Sequence, residues 1–192
     1  MRYDENENLV EVKSPLAVSG ADANNITRTL YDERDLVIAT ISSPGAAIES
    51  KSTTEIDANG NVLQVADAED TDGDGEREKT LFKYDRFDRL VETTTSTGEV
   101  VQQKYDPASN VIESSIFGTV SGLSRTANST TGNTLLSRTH AFYDELSRVF
   151  KQEAELFVST GITTVRPVVL NGTDGSLTRM SFFCIQSKKF IR

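Results

Sequence analysis

Cysteine occurs once in this 192-residue chain, at Cys184, histidine once, at His140, and tryptophan not at all. One thiol cannot build a disulfide framework, and one cysteine beside one histidine leaves no ligand set spaced for zinc. Basic residues are also scarce, with 20 Lys and Arg against 29 Asp and Glu and a formal charge of -9. That balance offers no basic stripe from which to release counterions, so nucleic acid is disfavoured as a partner. No apolar run reaches the length of a membrane span, and Met1 is followed by Arg2-Tyr3-Asp4-Glu5, which has no signal-peptide apolar region. A glycine-rich phosphate loop with its lysine is missing as well, because Gly73-Asp74-Gly75 is acidic where an anion cradle presents bare N–H groups.

What the chain does have is Thr, Ser, Gly, Asn and Asp between short β-prone runs, a balance that points to strands and tight turns. Within it one pattern returns six times, at Tyr3-Asp4, Tyr31-Asp32, Ile56-Asp57, Tyr84-Asp85, Tyr105-Asp106 and Tyr143-Asp144. In five copies the residue six after the leading aromatic or Ile is Leu or Val preceded by Asn or Arg: Asn8-Leu9, Asn61-Val62, Arg89-Leu90, Asn110-Val111 and Arg148-Val149. The second copy, Tyr31 to Leu36, reads as one residue shorter. Alternation before the Tyr, as in Phe82 and Tyr84 against Lys83, places the ring on one strand face. The Asp that follows can accept hydrogen bonds from N–H groups two residues on and start a turn. Gly60, Asp88, Ser109 and Ser147 supply turn-tolerant residues before the return strand. Further reversals are expected at Pro44-Gly45 and around Thr97-Gly98-Glu99. One hairpin alone is marginal in water, so each unit must stack on its neighbours.

The recurrent Tyr-Asp-x-x-x-(Asn/Arg)-(Leu/Val) unit resembles the YD repeat of the RHS family of bacterial surface and toxin-delivery proteins. That resemblance, covering roughly residues 1 to 150, implies an all-β fold: an array of antiparallel β-hairpins forming a curved or spiralling sheet, part of an RHS shell. In that family such arrays wind into a hollow shell that encloses a C-terminal toxin or other cargo, and related arrays occur in adhesive surface proteins. The resemblance therefore implies a secreted or cell-surface scaffold, part of a larger protein, with a cargo or toxin domain as its partner. The chain is too short to close such a shell and begins inside a repeat, as a fragment would. The self-cleavage motif that ends the shell in many RHS proteins has no match here, so no catalytic residue is carried over and an enzyme is not expected.

Three segments follow from the repeat: an array over 1–158, a loop-rich stretch over 159–178, and a divergent, apolar and basic tail over 179–192. Phe142, Leu146, Val149, Phe150, Ala154 and Phe157 fit a helix face by period. Tyr143-Asp144 with Arg148-Val149 matches the repeat, and strands are therefore expected there.

The best site-like feature is Asp70-Thr71-Asp72-Gly73-Asp74-Gly75-Glu76, whose alternate carboxylates resemble the first half of a calcium loop. The twelfth position is Leu81, so calcium at Asp70, Asp72 and Asp74 would be weak, and a solvated turn is the alternative. His140 has Ser137 and Asp144 near it in sequence, but strand alternation makes a local triad awkward. Cys184 reads as a small apolar residue. The rings of Tyr3, Tyr31, Tyr84, Tyr105 and Tyr143 form either the buried face of the array or a platform on which carbohydrate could stack. A carbohydrate or cell-surface ligand, aided by calcium, is thus the second functional reading. An incomplete array leaves open sheet edges, from which self-association is expected.

Overall fold

The computed structural model describes residues 1–68, 77–119, 128–156, 165–171 and 177–184. The chain divides into two compact units, Met1–Asp88 and Arg89–Arg192. The first holds β1 (Arg2–Tyr3), β2 (Leu9–Lys13), the short helix α1 (Pro15–Ser19), β3 (Ile26–Tyr31), β4 (Val37–Ser42), β5 (Ser50–Ile56), β6 (Val62–Ala66) and β7 (Lys79–Tyr84). The second holds β8 (Leu90–Thr94), β9 (Val100–Tyr105), β10 (Val111–Gly118), β11 (Thr134–Tyr143), β12 (Val149–Leu156), β13 (Val165–Asn171) and β14 (Leu177–Cys184).

In each unit every strand pairs antiparallel with the next one along the chain. The fold is therefore the antiparallel all-β array of hairpins expected from the repeat. The segment with helical periodicity is strand as well up to Leu156, with Tyr143 opposite Val149 across a turn, and Phe157 lies outside the described residues. β13 and β14 fall in the stretch where the repeat grammar has faded, and they pair with each other from Val165↔Cys184 to Asn171↔Leu177.

Strand faces follow the alternation of residue types. In β9, Val101, Gln103 and Tyr105 are more covered than Gln102 and Lys104, and in β7 Phe82 and Tyr84 are more covered than Lys83. Fully buried side chains are few: among the described residues only Ala39, Ala66, Val100, Thr94 and Ser115 fall in that class. Most strand residues are half-covered by their neighbours, so the fold is held by hairpin stacking and the hydrogen bonds that join adjacent hairpins, and only weakly by a central apolar core.

Helix α1 is the one helix among the described residues. Ser14 caps it by accepting a hydrogen bond from Ala17 N–H, Pro15 opens its first turn, and Gly20 closes it at φ 80°.

Five of the Tyr-Asp copies are reversals between consecutive strands of one unit, and the copy at Tyr84-Asp85 ends β7 in a turn. At Asp57 the pattern is complete: Asp57 N–H donates to the Asn61 carbonyl at 2.9 Å, and Gly60 N–H donates to the Asp57 carbonyl at 3.2 Å. The same pair of bonds recurs at Asp4, Asp32, Asp106 and Asp144, and Asp88 N–H donates to the Asp85 carbonyl at 3.1 Å. This is a type I turn followed by one left-handed residue, a three-residue hairpin loop. The left-handed position is held by Glu7 (φ 68°), Asp35 (60°), Gly60 (94°), Asp88 (58°), Ser109 (68°) and Ser147 (58°).

The second copy is not shorter. Tyr31 pairs with Val37, six residues on, as Ile56 pairs with Val62 and Tyr105 with Val111. Leu36 occupies the position held elsewhere by Asn or Arg. Its backbone N–H makes the required bond to Asp32, and Arg34 supplies the side-chain donors to that carboxylate instead. Beside five of the turns the register slips by one, leaving Val10, Ile38, Leu63, Ile112 and Phe150 as the extra residue on the return strand. All five are apolar, which extends the sequence unit by one position and marks a β-bulge.

Candidate functional site: the row of turns

Each turn is clamped by the carboxylate of its own Asp. In the turn at Asp57, Oδ1 accepts from Asn59 N–H and Asn61 N–H, both at 2.8 Å, while Oδ2 accepts from the Asn61 side-chain amide at 3.0 Å. Asp4, Asp106 and Asp144 are used alike by Asn8, Asn110 and Arg148. A side chain that satisfies N–H groups in its own turn favours that turn over extended chain. The carboxylates respond accordingly. Asp106 is held below the ordinary range by the Asn110 side chain first and its N–H second, and Asp32 and Asp144 by the N–H groups of Leu36 and Arg148. Burial pushes Asp57 up, but the Asn61 side chain and N–H outweigh it and leave the group lowered.

A second set of contacts joins one turn to the next. Asp35 Oδ1 accepts from the side-chain amides of Asn6 at 2.9 Å and Asn8 at 2.6 Å, and these two donors, in that order, lower its pKa. Asp88 Oδ1 accepts from Asn59 at 2.9 Å and Asn61 at 2.7 Å. Between these pairs, Arg34 Nη1 donates to the carbonyls of Asp57 at 2.8 Å and Ala58 at 3.0 Å. In the second unit Arg89 Nη1 donates to the Asp106 carbonyl at 3.0 Å, with its guanidinium 4.6 Å from the Tyr105 ring centre.

The tyrosines make a third set. Tyr31 Oη donates to the Leu9 carbonyl at 3.2 Å, Tyr105 Oη to Leu90 at 2.7 Å, and Tyr143 Oη to Val111 at 3.0 Å. In each case the acceptor is the Leu or Val that opens the return strand of the preceding copy. These three rings are half-buried, whereas Tyr3, on the outermost strand, is 56 % exposed. A groove of about 620 Å³ lies in the first unit, lined by residues that include Tyr3, Tyr31, Asp4, Asn6, Asn8 and Arg28.

His140 lies elsewhere, on β11, opposite Glu113 of β10 and Glu153 of β12. Its Nδ1 is 3.8 Å from Glu113 Oε2, and Lys104 Nζ is 3.0 Å and Arg138 Nε 3.7 Å from Glu113 Oε1. Burial raises the Glu113 pKa, but the Lys104 hydrogen bond and the surrounding cations outweigh it and leave the group lowered. Asp144 is not a partner for His140, because its carboxylate accepts from Leu146 and Arg148. Among the described residues no group of three or more His, Cys, Asp and Glu is placed to hold a metal ion. Asp70, Asp72 and Asp74 lie outside the described residues.

Taken together, these contacts define an array of Asp-clamped hairpins, each tied to the next by side chains. The RHS Repeat family model matches residues 57–100, from the clamp at Asp57 through the copy at Tyr84. The matched stretch takes in two of the Tyr-Asp copies, and the same turn recurs outside it. Solved structures similar to it include the Tc holotoxin pore of Photorhabdus luminescens, at 15 % identity over 88 % of this chain and 11 % of that one, with a TM-score of 0.47. Another is the TcdB2–TccC3 structure, at 14 % identity over 94 % of this chain and 13 % of that one, with a TM-score of 0.26. This chain thus spans roughly a tenth of the length of those chains, 11 % and 13 %. No curated protein matches it significantly.

Proposed function

We propose that this chain is a structural scaffold, part of an RHS-type shell that encloses or presents a cargo or toxin domain carried elsewhere in a larger secreted or cell-surface protein. The observation that carries this reading is how the repeat's polar groups are used. Carboxylates, amides, guanidinia and phenols of the Tyr-Asp units, among them Asp57, Asn61, Arg34 and Tyr105, are engaged with their own turn or the neighbouring hairpin. Groups so committed hold a sheet together and are not free for a substrate. Self-association belongs to the same reading, since an open edge of a hairpin sheet presents backbone groups for pairing.

The experiment is limited proteolysis of the parent protein, with and without its repeat region. A scaffold that encloses cargo protects the cargo domain from digestion. Equal digestion in both samples contradicts the proposal.

A second reading is favoured by the groove in the first unit, where the exposed Tyr3 ring and the half-buried Tyr31 ring form part of the wall. A largely apolar cleft with aromatic walls suits the face of a sugar ring on a carbohydrate or a glycosylated cell surface, and calcium at Asp70, Asp72 and Asp74 would assist it. Saturable binding on a glycan array that is lost in Tyr3→Ala supports this reading, and its absence removes it. Calorimetric titration with millimolar calcium tests the acidic loop separately.

A further inference from the structure

The left-handed position of the turn is easiest for glycine, and Gly60 holds it in one copy, yet Asp35 and Asp88 hold it in two others at φ 60° and 58°. Both of these carboxylates receive two side-chain amides from the preceding turn, and in both cases that turn reads Asn-x-Asn: Asn6-Glu7-Asn8 below Asp35, and Asn59-Gly60-Asn61 below Asp88. The turns that carry Arg34 and Arg89 reach forward differently. They donate to main-chain carbonyls of turns whose left-handed residue is Gly60 or Ser109, and Arg89 Nη1 also reaches the Ser109 hydroxyl at 3.4 Å. Two chemistries therefore alternate: paired amides onto a carboxylate, and a guanidinium onto neutral oxygens.

We propose that these residues form a pairing code that determines which hairpin stacks on which. An Asn-x-Asn turn is read by Asp at the left-handed position of its successor, and an Arg turn is read by the open carbonyls of a successor whose left-handed residue is uncharged. The code rests on the scaffold reading, since it concerns how the hairpins of the array recognise one another.

The test is a charge exchange at one junction of the full chain, read as residue-resolved amide exchange in β6 and β7. Asn59→Asp sets a carboxylate against Asp88 and is expected to lower protection about tenfold, the scale of one lost charge-assisted hydrogen bond. Asp88→Asn retains an acceptor and a residue type at ease in the left-handed region, and is expected to lose less. In the double variant the amide at position 88 donates to the carboxylate at position 59, and protection returns to within about threefold of wild type. Losses that simply add in the double variant overturn the code. Should Asn59→Asp not fold, the cycle of Asn59→Ala with Asp88→Ala reads the same coupling: a double loss smaller than the sum supports the code, and additivity overturns it. Additivity here leaves the proteolysis test of the scaffold untouched, so the two ideas fail separately.

Discussion

Replacing Tyr105 by Phe removes one oxygen and keeps the ring. That oxygen lies 2.7 Å from the Leu90 carbonyl and 3.0 Å from Gln103 Oε1. Its single proton serves the shorter contact, which joins this copy to the one before it. The ring stays in place against the Arg89 guanidinium. A neutral hydrogen bond contributes about 0.5–1.5 kcal/mol net, and because the half-buried site lets water reach the orphaned carbonyl, the expected loss is about 1 kcal/mol. In a chain of this size that lowers the melting temperature by about 2–4 °C. Circular dichroism at the β-sheet minimum, followed through the thermal transition, measures it. Tyr3→Phe is the control, since Tyr3 is 56 % exposed; its change should stay within about 0.5 kcal/mol. If Tyr105→Phe melts with wild type, or if Tyr3→Phe loses as much, the phenol-to-carbonyl link between copies contributes nothing and the reasoning fails.

Ile56 occupies the Tyr position of the third copy and has no hydroxyl, so Ile56→Tyr should add the missing link toward the Val37 carbonyl and raise the melting temperature; a drop shows that the site rejects the ring. At the left-handed position, Ser147→Gly relieves a backbone held at φ 58° and should stabilise by about 0.5–1 kcal/mol in denaturant titration. Gly60→Ala, at φ 94° with nothing within 4 Å of the added carbon, should cost about 1 kcal/mol from the backbone alone, and a neutral result contradicts that assignment. Asp32, Asp35, Asp57, Asp106, Asp144, Glu11 and Glu113 are all lowered in the folded chain. Their stabilisation is therefore fully present above the ordinary carboxylate range near pH 4 and is lost as pH falls through the lower folded values. An acid titration by circular dichroism should show unfolding in that window, and less of it in Asp106→Asn; stability unchanged to pH 2 would refute the clamp electrostatics.

The hairpins were legible in the sequence because the signal is local. An Asp two residues before the N–H it binds, and a turn-tolerant residue three after that Asp, specify a reversal without reference to the rest of the chain. The copy at Tyr31 misled for the same reason. A rule that asks for Asn or Arg before the return strand cannot see that Leu36 needs only its N–H, or that Arg34 supplies the side-chain donors. The reversal expected around Thr97-Gly98-Glu99 is a turn of the same kind, with Thr95 N–H donating to the Glu99 carbonyl, Gly98 at φ 75°, and a hydroxyl where the Tyr-Asp copies have a carboxylate. Helix α1 was marked by Ser14-Pro15 and Gly20, but its apolar residues Leu16 and Val18 are exposed, so no periodic face announced it. The contacts between turns could not be read at all. Asn59 meets Asp88 and Arg34 meets Asp57 only once the register of three strands is set, and register is not a property of any one segment.

The central claim is that each Asp clamps a reversal by binding the N–H four residues on. Residue-resolved hydrogen exchange measures those groups directly. Slow exchange at the amides of Leu36, Asn61, Asn110 and Arg148, each bound to its turn carboxylate at 2.8–2.9 Å, with faster exchange after Asp106→Ala at Asn110 alone, is the predicted result. Exchange at unstructured-chain rates at all four positions would contradict it.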